Sequence, residues 1–264
     1  MNPLNPDTML YPVLFLLGAI AGSFLNVCIY RIPAGESVVK PRSRCGECRT
    51  PIRPYDNVPI LSYLILRGRC RGCGARISLR YPLVETLTGA AAVATYALHG
   101  WSLASPVSFA FVCALIVISL IDLDHQIIPN VISIPGIAIG FLAALLVGEP
   151  SWRSSLIGLL LGGGVLWLVA ELYFRFTGRE GMGGGDVKLL AMIGAFLGWP
   201  AVPVTLLLAS LSGTFIGVGV MIARGSDSRT PIPFGPFLAA GALCALFFGE
   251  PLIRWYLGLI APAV

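Results

Sequence analysis

Residues 106–121 read PVSFAFVCALIVISLI, a run without a single charge, and the chain then turns abruptly acidic at Asp122-Leu123-Asp124-His125. A helix over this run approaches the roughly 20 apolar residues needed to cross a bilayer, where every backbone N–H and C=O must be bonded internally. Further apolar runs lie on both sides, at about 10–29, 83–99, 131–148, 155–174, 187–199, 201–223 and 232–249. The 264 residues are 56% hydrophobic and only 12% charged, with a mean hydropathy of +0.83. Soluble domains carry about 25% charged residues. These features predict an all-α, polytopic membrane helix bundle of about eight spans and exclude an ordinary soluble core. The first run has no basic residue before it and no clear small-residue cleavage site, so it reads as a retained span.

The basic residues predict the orientation. Of 18 Lys and Arg, 11 fall between Arg31 and Arg80, the one long polar stretch. Arg175, Arg179, Lys188, Arg224 and Arg229 fall on the same side of the alternating connections, and only Arg153 and Arg254 on the other. The positive-inside rule makes the first side cytoplasmic and puts both termini outside. The net charge of +5 is thereby explained by orientation and contact with anionic lipid, and it calls for no nucleic acid. The expected organisation is a first span over 1–30, a cytoplasmic loop over 31–82, and a helix bundle over 83–264.

Four of the seven cysteines form Cys45-Gly46-Glu47-Cys48 and Cys70-Arg71-Gly72-Cys73, with 21 residues between the pairs. Two Cys-x-x-Cys turns converging on one ion complete a tetrahedral Cys₄ shell, and the spacing is one residue beyond the usual range of about 15–20. Paired disulfides would need an oxidising compartment, and one such pair alone would serve a redox role. The favoured reading is structural Zn²⁺, because a short polar loop cannot bury a core of its own. Gly46, Gly72 and Gly74 are expected to supply the tight turns. Cys28, Cys113 and Cys244 lie in apolar runs and read as packing residues.

A charge inside hydrocarbon costs roughly 2.5–3.5 kcal/mol even on lenient scales, so acids at span ends are functional candidates. Asp122 and Asp124 end one apolar run, and Asp186 follows Gly181-Met182-Gly183-Gly184-Gly185 at the start of another. The orientation brings both segments to the same face and depth. Two carboxylates about 3 Å apart share one proton, so one can activate water while the other protonates a carbonyl. Gly183, Gly184 and Gly185 would let a substrate strand or a neighbouring helix approach beside Asp186. Helix packing, capping by Asp186, and proton or ion transport through the same acids are the competing readings, as is a zinc-stabilised scaffold without chemistry.

Gly183-Gly184-Gly185-Asp186 resembles the Gly-x-Gly-Asp signature of intramembrane aspartyl proteases. Five further motifs and the paired Cys-x-x-Cys loop resemble the bacterial type IV prepilin peptidases (leader peptidase/N-methyltransferases) in particular. The motifs are Gly22-Ser23-Phe24-Leu25-Asn26-Val27-Cys28-Ile29-Tyr30-Arg31-Ile32-Pro33, Asn57-Val58-Pro59-Ile60-Leu61-Ser62-Tyr63, Arg76-Ile77-Ser78-Leu79-Arg80-Tyr81-Pro82-Leu83-Val84-Glu85, Asp122-Leu123-Asp124-His125-Gln126-Ile127-Ile128-Pro129-Asn130 and Pro233-Phe234-Gly235-Pro236-Phe237-Leu238. The resemblance implies a protease of the bacterial inner membrane, acting at its cytoplasmic face. Its substrates would be prepilins and pseudopilins of type IV pili and type II secretion, cut after a glycine that ends a short basic leader. It assigns catalysis to Asp122 and Asp186, with Asp124 as the alternative to Asp122. It also implies N-methylation of the new N-terminus with S-adenosylmethionine. No Gly-x-Gly-x-x-Gly follows a strand-like segment, so the methyl-donor site is unknown from sequence. The Cys₄ loop and the surroundings of Glu85 are its expected neighbourhood.

Overall fold

The computed structural model describes residues 6–179, 183–224 and 232–260. Gly181, Met182 and Arg229 lie outside them. The elements are α1 (Pro6–Arg31), a 3-10 turn (Pro54–Asn57), α2 (Leu61–Ile65), α3 (Arg80–His99), α4 (Ala104–His125), α5 (Asn130–Val147), α6 (Trp152–Thr177), α7 (Gly184–Leu197), α8 (Ala201–Arg224) and α9 (Gly235–Ile260). No strand occurs among the described residues, only the isolated bridges Arg44–Pro51 and Arg69–Arg76.

Every apolar run is a helix, but among the described residues six helices are both long and apolar enough to cross a membrane: α1, α4, α5, α6, α8 and α9. The expected eight therefore becomes six on this measure, for two physical reasons. Helix α3 is diluted by Glu85 and by Thr86, Thr88 and Thr95. Helix α7 has 14 residues, about 21 Å at 1.5 Å per residue, against a hydrocarbon core of about 30 Å. Its place explains its shortness. Leu189, Leu190, Met192, Ile193 and Ala195 are wholly buried, because α5, α6, α8 and α9 all pack against it. The outward faces of the longer helices stay apolar, with Leu146, Trp167 and Phe215 exposed, as lipid-facing surface requires.

The chain divides into two compact units, residues 1–117 and 118–264. In the first, α1 packs along α3, and Asn26 Nδ2 donates to the Tyr81 carbonyl at 3.2 Å. The polar loop between these helices is tied down at several points. Arg31, at the end of α1, donates to the carbonyls of Ser37 and Pro41, both at 2.8 Å. Arg71 chelates Asp56 at 2.7 Å, and this hydrogen bond and charge hold the Asp56 carboxyl below its ordinary range. In the second unit, α6 starts on Ser151, whose hydroxyl accepts the Ser154 N–H, and stops at Gly178 in the left-handed region.

Candidate active site and metal centre

The Cys₄ loop is built from two copies of one turn, 25 residues apart. In the first, the Cys45 N–H donates to the Thr50 carbonyl at 3.0 Å and the Arg49 N–H to the Cys45 carbonyl at 3.0 Å. In the second, Cys70 N–H meets Ala75 O at 2.8 Å and Gly74 N–H meets Cys70 O at 2.9 Å. The flanking bridges, Arg44–Pro51 and Arg69–Arg76, correspond as well. The left-handed position is Gly74 (φ 73°) in one turn and Arg49 (φ 56°) in the other. The tight turn thus falls on Arg49 where Gly46 was expected, and Gly72 takes no positive φ.

The four thiols converge, with all Sγ atoms within 4.8 Å of one another. Cys45 and Cys73 stand 3.9 Å apart and Cys48 and Cys70 4.0 Å apart. A tetrahedral ion with bonds of about 2.3 Å to sulfur needs S···S edges of about 3.8 Å. The donor set therefore fits one metal ion. The separations also rule out disulfides, whose sulfurs lie about 2.05 Å apart. Hydrogen bonding to the Thr50 hydroxyl and backbone pulls the Cys48 thiol down to about 6. The N–H groups of Cys73 and Gly72 lower Cys70. Cys73 is drawn down by the Ala75 N–H, yet desolvation and the three neighbouring thiols push it up to about 11. Thiolates gathered this closely repel one another until a cation neutralises them.

The acids singled out in the sequence lie in the second unit. Asp122 sits in the last turn of α4 and is buried. Asp186 is the third residue of α7, capped by Gly183, and is partly buried. The two carboxyls are close enough for their charges to interact. Asp124, two residues on from Asp122, is exposed, as a helix of 3.6 residues per turn dictates by carrying it to the far side.

The glycines before Asp186 have unequal surroundings. A Cβ at Gly184 would meet nothing within 4 Å, whereas one at Gly185 would fall 2.8 Å from the Cβ of Ile128. Gly185 thus lets the start of α7 press against the Ile128-Pro129-Asn130 step. Lys188 Nζ adds a 2.8 Å hydrogen bond to Asn130 Oδ1, joining α7 to the start of α5. Sequence reasoning missed two partners of these acidic residues. The Gly235 N–H donates to Asp122 Oδ2 at 2.9 Å in a buried contact, and the Ile60 N–H donates to buried Glu85 at 2.7 Å.

The family model described as Bacterial Peptidase A24 N-terminal domain matches residues 16–99, and the one described as Type IV leader peptidase family matches residues 109–218. The chain is similar to the prepilin leader peptidase/N-methyltransferase of Aeromonas hydrophila, 41% identical over 94% of this chain and 93% of that protein. It is also similar to the protein of that name in Pseudomonas aeruginosa, 39% identical over 92% of this chain and 91% of the relative. This chain belongs to the type IV leader peptidase family. A third family member, from Myxococcus xanthus, is 42% identical over 80% of this chain and 63% of its own length. No solved structure matches the chain. The two family matches, 16–99 and 109–218, divide the chain near the boundary of its compact units, so the leader peptidase match contains both Asp122 and Asp186.

Proposed function

We propose that this protein is an intramembrane aspartyl endopeptidase that removes the basic leader of type IV prepilins and pseudopilins after a glycine, and then N-methylates the new terminus. The reading is supported by the placement of Asp122 in the last turn of α4 and Asp186 at the start of α7, near enough for their charges to interact. One carboxylate takes a proton from water as its oxygen attacks the scissile carbonyl carbon. The carbonyl π pair moves to oxygen, which takes the proton of the other acid. The resulting gem-diol collapses as the first acid passes its proton to the leaving nitrogen. The C–N bond breaks, and the second acid recovers its proton from the diol. The basic leader stays on the cytoplasmic side, and the open space at Gly184 admits the extended backbone that hydrolysis requires.

The Cys₄ loop is assigned structural Zn²⁺, held by Cys45, Cys48, Cys70 and Cys73. Four thiolates leave no open coordination position, so the ion staples the loop and takes no part in hydrolysis. For the methyl donor, support comes from a groove of about 490 Å³ between α1 and the loop, within the usual range of about 300–1,000 Å³ for small-molecule sites. Arg31 lines it at 8% exposure, bonded to backbone carbonyls and without an acidic partner among the described residues. Arg31, Arg42 and Phe24 line this groove and would be among the side chains nearest a bound donor. S-adenosylmethionine supplies an electrophilic methyl group when bound. The test is incubation of purified protein with a prepilin, with and without S-adenosylmethionine. Leader release in both samples and a methyl mass gain only with the donor support the reading; an intact prepilin opposes it.

A further inference from the structure

The segment Pro233-Phe234-Gly235-Pro236 has no part in the reaction as written, yet it touches the site. Gly235 opens α9, and its N–H donates to Asp122 Oδ2 at 2.9 Å, closed off from solvent. The first N–H groups of a helix have no partner inside it. In this turn Pro236 has no N–H to offer, and that of Phe237 turns back to the Phe234 carbonyl at 3.1 Å. Of residues 235–237, only Gly235 therefore directs its N–H at another element. A Cβ at position 235 would lie 2.6 Å from the same Asp122 oxygen, closer than any side chain tolerates.

We infer that Gly235 is a positioning residue that gives the two acids different roles. Oδ2 of Asp122 is committed as an acceptor, beside the positive end of the α9 dipole. Asp122 enters the reaction as the carboxylate, with Oδ1 left to take the proton from water. Asp186 carries the shared proton and delivers it to the carbonyl oxygen. The contact also fixes the rotation of the Asp122 carboxyl, so that a water between the acids meets an oxygen held in one place.

This inference rests on catalysis by Asp122 and Asp186, and its tests separate the two ideas. In Gly235→Ala the added methyl group displaces the Asp122 carboxyl. The expected result is kcat for leader cleavage lower by about 100-fold, the scale of a 1 Å misplacement. KM should stay unchanged, as should methyl transfer to a pilin supplied already cleaved. A second measurement needs no substitution at Gly235. Labelling with ¹³C-carbonyl Phe and ¹⁵N-Gly marks only the pairs Phe234-Gly235 and Phe248-Gly249. The Gly235 amide signal should move as the acids titrate and shift again in Asp122→Asn, while that of Gly249 stays still. A Gly235 signal indifferent to both, a native kcat in Gly235→Ala, or parallel loss of cleavage and methyl transfer overturns the assignment. Cleavage surviving in Asp122→Asn would instead remove the reading beneath it.

Discussion

Buried Glu85 on α3 accepts the N–H of Ile60 at 2.7 Å, and Ile60 stands at φ 62°, ψ −53°. The Leu61 N–H closes on the Pro59 carbonyl at 2.5 Å, which makes Ile60 the centre of a strained γ-turn. A β-branched residue at positive φ persists only where its surroundings hold it. Glu85 does so, and Asn57 and Pro59 from the same segment line the groove beside α1. Glu85→Ala should destabilise the protein by about 1–3 kcal/mol through the orphaned N–H. Ile60→Gly should recover part of that loss by relieving the backbone. Unfolding of the single and double variants checks this; additive effects would contradict it.

The two glycines nearest Asp186 should fail differently. Gly185→Ala presses on Ile128, and overpacking costs about 1–3 kcal/mol, so cleavage should fall by roughly tenfold or more. Ile128→Ala in the same protein should restore most of it. Gly184→Val meets open space, so the fold should survive while substrate approach is blocked. Crosslinking should then show a bound, uncut prepilin. Efficient cleavage by Gly184→Val would contradict the narrow passage.

Metal retention should depend on pH in one direction. The Cys48 thiol sits at about 6 and that of Cys70 is also lowered, so their thiolates persist to lower pH than a free cysteine's. Cys73, pushed up to about 11, holds a proton that the metal must displace, and the bound dication then opposes its return. Zinc should remain at pH 7 and leave with a midpoint at or below about 6. Metal analysis after equilibration measures it; a midpoint above pH 7 contradicts it. Cys45→Ser should lose the ion and weaken methyl transfer before hydrolysis.

Arg49 occupies the position that Gly74 fills in the sister turn. Arg49→Gly should therefore stabilise the loop, since glycine takes positive φ at no steric cost. Gly74→Ala should shift stability the other way. A loss of metal affinity in Arg49→Gly would contradict the equivalence of the two turns.

The features read from the sequence are those written locally. Apolar runs announce helices, and the spacing of Cys45/Cys48 and Cys70/Cys73 announces a thiol cluster able to hold a metal ion. The depth of α7 was not legible, because its burial comes from four other helices. Nor was the Gly235–Asp122 contact, which joins residues 113 apart and leaves no periodic trace. Ile60 and Arg49 ran against local preference, since nothing about either side chain announces positive φ. Their conformations come from Glu85 and from the metal turn, respectively.

Cleavage by Asp122 and Asp186 together, without Asp124, is the proposal on which the mechanism stands. Its most direct test is mass spectrometry of a prepilin incubated with purified Asp122→Asn, Asp186→Asn and Asp124→Asn proteins, each matched for membrane insertion. No leader release is expected from the first two, release from the third, and methyl transfer to a pre-cleaved pilin from all three. Leader release by either Asp122→Asn or Asp186→Asn would contradict it.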